Sequence, residues 1–415
     1  MQRRTFLVTA AAAVSACRAQ RPQPPAGDLP DALKKLRPML DGVVPITAEE
    51  RQARVEKARR LMRDHQLGAI VLEGGTSLFY FTGTRGAAID PPTVVVLPLK
   101  GDITWIAPAT GGRAAAAASG DIRHYAAGED PYKTVAGALR DRGAATGRVG
   151  IEERVRFAVY DGLRHAAPSL EFVSADPVTV GCRVIKSPAE LALMQRANDI
   201  TLACYRAVYE TVHEGMTPSE MRNNISAGYR AMGVNGSALV GFGKYTAFPH
   251  GSIEEQRLKE GDFVLIDDGC SVDGYQSDIT RTFMFGKPTQ RQRDVWALER
   301  KAQDAALAAA TPGATCESVD AAARKVITDA GFGPGYKVPG LPHRTGHGIG
   351  LDGHEWTYLV KGNKTKLEPG MCFSDEPMIA IYGEFGVRLE DCMHISESGA
   401  RMFTKQSTSI DQPFA

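Results

Sequence analysis

The stretch Leu258–Thr282, "LKEGDFVLIDDGCSVDGYQSDITRT", runs from a Leu-x-x-Gly turn through an apolar strand to Asp267, six residues after Gly261. A hairpin-like segment containing Gly274 then returns the chain to Asp278. A second stretch, Leu367–Asp391, "LEPGMCFSDEPMIAIYGEFGVRLED", follows the same plan. It has Leu367 and Gly370, an apolar strand ending in Glu376 six residues after the glycine, a turn at Gly383, and a second acid at Glu390. Two weakly similar halves, each presenting two carboxylates from paired strands, predict a pseudo-symmetric domain whose acids meet at its centre. A single aspartate in a strand is ordinarily the partner of some nearby cation. Repetition of the whole pattern argues against four such coincidences.

Aspartate and glutamate are depleted from strands, and ionised carboxylates are costly to bury unless paired or bound to metal. Four that converge require positive charge, which two divalent cations bridged by carboxylates supply. Between the halves lies "HRTGHGIGLDGHE", His343–Glu355, with three histidines and four glycines. It holds no HExxH zinc helix, and its glycines interrupt any helical reading, so its side chains project from a strand and flanking turns. One of these histidines completes an oxygen-rich ligand set. Such a set favours a hard or borderline ion, Mn²⁺ ahead of Zn²⁺, Co²⁺ or Fe²⁺.

Taken together, "IDDG…SDITRT", "GHGIGLDGHE", "DEP" and "VRLED" resemble the M24 metallopeptidases, the pita-bread fold of methionine and Xaa-Pro peptidases. The resemblance spans roughly residues 182–405 and implies the ligands Asp267, Asp278, His347, Glu376 and Glu390, with Asp268 turned away from the metals. It implies that Glu376 is both ligand and general base, activating a water whose pKa the two ions lower. His354 resembles the family's substrate-contacting histidine, and His250 of "FPHGS" the upstream histidine of the same cleft. His343 matches a histidine lining the proline pocket of the proline-selective branch. Arg388 is similar to that branch's carboxylate-pairing arginine, or is a structural salt bridge that orients Glu390. The branch ordinarily reads E-P-G-x-Y, whereas this chain reads "EPMIA", with Met378 at the glycine and Ala380 at the tyrosine. That removes a hydroxyl donor from beside the site but no ligand.

Residues 46–180 read as a small α/β domain: an amphipathic helix, "TAEERQARVEKARRLMRDH", then strand-like "GAIVLEG", "SLFYFTG", "TVVVLPL" and "ITWIAP". It resembles the N-terminal domain of creatinase, prolidase and aminopeptidase P, which methionine aminopeptidases lack. Ser187, Pro188 and Glu190 form a capping box that opens a long helix, so the second domain covers 181–415. "QRQRDVWALERKAQDAALAAA" supplies a further helix between the two acidic halves.

The resemblance therefore implies an Xaa-Pro dipeptidase, with an Xaa-Pro aminopeptidase on longer peptides or a creatinase- or lyase-like enzyme as alternatives. It also implies a homodimer. Binding-only relatives typically lose ligands, and creatinase-type members do not keep this full set. The chain has 415 residues, 43% of them apolar, enough for two domains, and its net charge of +1 offers no electrostatic case for nucleic acid. Its seven cysteines contain no CxxC pair and name no disulfide.

The first residues, "MQRRTFLVTAAAAVSAC", place Arg3-Arg4 before an apolar run and small residues, the layout of a twin-arginine export signal over 1–16. "VSAC" resembles a lipobox with Cys17 as acylated residue, the only membrane attachment expected, and residues 17–45 read as a proline-rich tether. The expected location is outside the cytoplasm, periplasmic or anchored at the envelope. Cell fractionation with detergent release tests this: recovery of a cytoplasmic protein with residues 1–16 intact overturns it.

Overall fold

A computed structural model describes residues 29–110 and 120–414 of the chain. The expected export signal and Cys17 lie outside the described residues. The expected tether, 17–45, is too long at its C-terminal end: residues 31–34 form a helical turn with Leu33 buried. Leu36, Met39 and Val43 follow as partly buried residues against the core, and Arg196 donates to the Met39 carbonyl at 2.9 Å. The apolar spacing of Leu33, Leu36 and Met39 outweighs the proline content there.

The N-terminal domain is built on a six-stranded mixed sheet of β1 (Leu67–Leu72), β2 (Val94–Pro98), β3 (Thr104–Pro108), β4 (Asp121–Tyr125), β5 (Gly147–Ile151) and β6 (Leu170–Ser174). Its order is β4-β3-β2-β1-β5-β6, with β1 antiparallel to β2 and parallel to β5. "SLFYFTG", expected as a strand, lies in a helix over Thr76–Thr82. Its aromatics favour strands in isolation, but Leu78, Tyr80 and Phe81 are buried on the helix and Gly83 closes it at φ 75°. Tertiary burial overrides propensity here.

The helix Pro188–Tyr209 opens the second domain behind the expected capping box, with Ser187 accepting from Glu190 N. Beyond it the two acidic halves fold alike. In the first, β7 (Leu239–Phe242), β8 (Phe263–Asp267) and β11 (Arg281–Met284) form one sheet, and the hairpin β9 (Ser271–Val272) to β10 (Tyr275–Gln276) joins β8 to β11. The second has β14 (Cys372–Asp375) paired with β17 (Asp391–Ser396), joined by the hairpin β15 (Met378–Ile381) to β16 (Phe385–Arg388). Strands β12 (Gly346–Gly348), β13 (Glu355–Leu359) and β18 (Gly399–Met402) complete a five-stranded sheet ordered β13-β12-β14-β17-β18. Each half thus holds its two acids where an antiparallel pair breaks into a hairpin. This is the expected α/β N-terminal domain followed by a pseudo-two-fold catalytic domain.

The glycines around His347 have a steric cause. A Cβ on Gly346 would sit 2.1 Å from the Ser374 carbonyl oxygen, and one on Gly348 2.7 Å from that of Glu355. Strand β12 is therefore squeezed between β13 and β14 with His347 as its one side chain. Gly346→Ala is expected to lower stability by about 1–3 kcal/mol, read from urea unfolding. An unchanged midpoint would show that β12 has room the packing denies it.

Candidate metal centre

Asp267 is the last residue of β8, and Asp278 lies just before β11. Glu376 and Glu390 occupy the corresponding places beside β14 and β17. Their donor atoms meet. One oxygen each from Asp267, Asp278 and Glu390 lies within 4.8 Å of the others, as do donor atoms of His347, Glu376 and Glu390. His347 Nε2 is 3.3 Å from Glu376 Oε1 and 3.7 Å from Asp278 Oδ2. All five residues line one cavity of about 710 Å³, together with His250, His343, His354 and Arg388. The structure thus gathers every residue singled out from the sequence.

Electrostatics show what the cluster lacks. Burial, reinforced by Asp267 and other neighbouring acids, holds Asp278 well above the ordinary carboxylate range. Glu390 is raised likewise, first by burial and then by Asp278. Glu376 is pushed up to about 7 by burial, with Arg388 opposing. Glu390 Oε1 is buried and has no hydrogen-bond partner among the described residues. An oxygen-rich, proton-retaining cluster with an orphaned carboxylate oxygen fits hard divalent cations. Asp267, Asp278, His347, Glu376 and Glu390 are the residues that could hold them.

Neighbouring groups orient this set. Ser374 Oγ accepts from His347 N at 3.1 Å and reaches Glu376 Oε1 at 3.3 Å, tying β12 to β14. Asp320, on the helix Cys316–Asp329, accepts from Thr345 N and Oγ1. Arg324 of the same helix pairs with Asp320 and donates to the carbonyls of Leu341 and His343. Asp268 sits at φ 123°, a costly backbone for a residue with a Cβ. Its carboxylate accepts from Ser237 Oγ at 2.9 Å and from Gly269 N, and it belongs to none of the donor groups. It still lines the cavity.

Arg388 is 4% exposed, and its three nitrogens are engaged by Asp267 Oδ2, by Thr280 Oγ1 at 3.1 Å and by the Pro249 carbonyl at 3.3 Å. It is an internal counter-charge for Asp267, whereas the salt-bridge alternative read from the sequence had it orienting Glu390. Met378 and Ala380 are fully buried in the hairpin, and Ala380 exchanges backbone bonds with Gly340. No hydroxyl stands at that position.

Sequence reasoning missed Thr280 and Arg344. Thr280 Oγ1 lies 2.7 Å from Asp267 Oδ1 and 2.6 Å from Glu390 Oε2, and its single proton serves one at a time. The hydroxyl two residues after Asp278 in "SDITRT" was its only signal. Arg344 lines the cavity and lies 2.9 Å from His354 Nδ1.

Comparison with known proteins decides the family. Residues 192–397 match the model for metallopeptidase family M24, and residues 54–185 that for the creatinase/prolidase N-terminal domain. An Xaa-Pro dipeptidase of Lactobacillus helveticus is 35% identical over 292 residues, covering 69% of this chain and 78% of that protein. The chain belongs to metallopeptidase family M24. Dipeptidase PepE from Mycobacterium ulcerans superposes with a TM-score of 0.82 at 31% identity, over 89% of this chain and 99% of its own. Recombinant prolidase from Thermococcus sibiricus gives 0.79 at 28% identity, over 85% and 96%. M24 enzymes are dimetal, in keeping with the donor set described.

Because the apo carboxylates retain protons that bound ions displace, metal uptake should release protons. Adding Mn²⁺ to chelator-stripped protein in weak buffer at about pH 7 is expected to acidify the solution. The metal-dependent rise in thermal midpoint should shrink as the pH falls through the raised carboxyl pKa values. Proton-neutral binding at that pH would contradict the charge state described.

Proposed function

We propose that this M24 chain is an Xaa-Pro dipeptidase whose two metal ions are held by Asp267, Asp278, His347, Glu376 and Glu390. The observation that carries this reading is the convergence of four carboxylates and one imidazole in a single cavity, in a chain whose curated relatives include Xaa-Pro dipeptidases. We take Mn²⁺ as the native ion on the oxygen-rich donor set.

When bound, the ions supply Lewis acidity toward the scissile carbonyl and a lowered pKa for a water. The side chains do the rest. Glu376, at the cavity wall beside His347, accepts the proton of the attacking water and returns it to the leaving nitrogen. His354 donates a hydrogen bond to the substrate oxygen. His343 stays neutral, its pKa lowered to about 3 by burial and by Arg388, and its Nε2 is an acceptor without a partner among the described residues. With His250 it forms the wall against which a proline ring would pack.

An Xaa-Pro bond is a tertiary amide with no N–H and a fixed φ. Ordinary peptidases that hold an extended backbone by hydrogen bonds lose that donor. A cleft that selects the ring by packing does not need it.

The metal-loaded protein is expected to cleave Xaa-Pro dipeptides at least about tenfold faster than Xaa-Ala dipeptides, one transition-state contact's worth of discrimination. Asp278→Asn should abolish activity and lower metal content by elemental analysis. Equal rates on Xaa-Ala would remove the proline assignment. Faster cleavage of Xaa-Pro-Yaa tripeptides would make the enzyme an aminopeptidase, and full metal occupancy in Asp278→Asn would remove the ligand assignment.

A further inference from the structure

The three histidines of the segment 343–354 differ in what faces their Nδ1 atoms. His343 Nδ1 lies 2.7 Å from the carbonyl oxygen of Arg344, and His347 Nδ1 lies 3.1 Å from that of Gly348. A carbonyl only accepts, so both rings carry a proton on Nδ1 and, when neutral, present Nε2 as a lone pair. For His347 that lone pair belongs among the carboxylate oxygens around it.

His354 is the opposite case. Its Nδ1 lies 2.9 Å from Nη2 of Arg344. A guanidinium keeps its protons in proteins and accepts nothing. Nδ1 therefore holds the lone pair, and the proton of the ring sits on Nε2. That N–H has no partner among the described residues, and the ring lines the cavity. Arg344 is itself fixed, its guanidinium 4.3 Å above the ring of Tyr358, which pairs across the strands with His347.

The contact has a second consequence. The His354 ring centroid is 3.8 Å from that of His347, and one of its nitrogens falls within 4.8 Å of donor atoms of His347 and Asp278. By distance alone His354 qualifies as a metal ligand. An imidazole whose Nδ1 lone pair is occupied by Arg344 and whose Nε2 is protonated has nothing to offer an ion.

We propose that Arg344 is a positioning residue that locks His354 as the Nε2–H tautomer, making it a hydrogen-bond donor in the cleft and barring it from the metal set. The donor role rests on the peptidase reading of this cleft, whereas the tautomer stands without it.

The test uses Zn²⁺-loaded protein with nitrogen-15-labelled histidine, whose two-bond couplings report the tautomer, and His354→Gln to identify the ring's signals. The wild-type ring is expected to show Nε2–H, and Arg344→Met a mixture of tautomers. In that variant kcat should fall about 10- to 100-fold, equally for an Xaa-Pro dipeptide and its C-terminal amide, with KM little changed. Arg344→Lys, which keeps an obligate donor, should recover most of the loss. A wild-type Nδ1–H signal overturns the proposal. A defect confined to KM for the free-carboxylate dipeptide also overturns it, making Arg344 a carboxylate anchor instead. Should wild-type protein cut neither substrate, the peptidase reading fails while the spectrum still decides the tautomer. If Arg344→Met does not fold, the wild-type spectrum and Arg344→Lys decide it.

Discussion

Like charges gathered out of water are the constraint on which the rest of this structure depends. Asp267, Asp278, Glu376 and Glu390 stand at the ends of strands from two halves of one domain, and the Arg388 guanidinium is set among them, paired with Asp267. Burial and neighbouring acids drive the carboxyls of Asp278, Glu376 and Glu390 toward their protonated forms. Folding must therefore bring them together against their own electrostatics, and strand pairing does so. β8 with β11 and β14 with β17 are antiparallel ladders with apolar faces, so carboxylate positions are set by backbone hydrogen bonds. Thr280, bridging Asp267 and Glu390 through one hydroxyl, shows how tightly the two halves are joined at that point.

A second set of charges, buried around Glu355 and reaching the surface at Arg154, fastens the N-terminal domain to the loop that carries His354. Asp352 accepts from Thr76 Oγ1 at 2.7 Å and from Arg154 at 3.0 Å, both from the N-terminal domain, and pairs with Arg183 at 2.6 Å. Glu355 pairs with Arg183 and Lys186, and these cations outweigh the upward push of burial to hold its carboxyl at about 2. Buried ion pairs of this kind are weak contributors to net stability but costly to break singly. Their consequence here is geometric. The loop of residues 350–354 is held at both ends, one end by the N-terminal domain and the other by Arg344.

The departures of "EPMIA" from the family pattern have a clear place in the fold. Met378 and Ala380 are buried in the β15–β16 hairpin, and the next tyrosine, Tyr382, is exposed and stacks on Phe248 at 5.3 Å. A hydroxyl does stand in the site on the other half of the domain, that of Thr280, beside Asp267 and Glu390.

The repeated Leu-x-x-Gly, strand, acid and hairpin pattern was enough to read a pseudo-symmetric domain whose four acids meet, whereas His347 as the fifth donor was implied by the resemblance to the M24 metallopeptidases. Those features are periodic, or governed by local backbone chemistry, and so they survive in one dimension. The helix at Thr76–Thr82 and the packed segment after Leu29 were not legible, because burial against distant elements decides them. Nor was the division of labour between two arginines. From the sequence only Arg388 was matched to a carboxylate-pairing arginine, yet the fold engages every nitrogen of Arg388 and places Arg344, not singled out there, beside His354. Which histidine donates and which presents a lone pair depends on what lies within hydrogen-bond distance of one ring atom. Only the tertiary structure, by bringing a carbonyl to one ring and a guanidinium to the other, makes that choice.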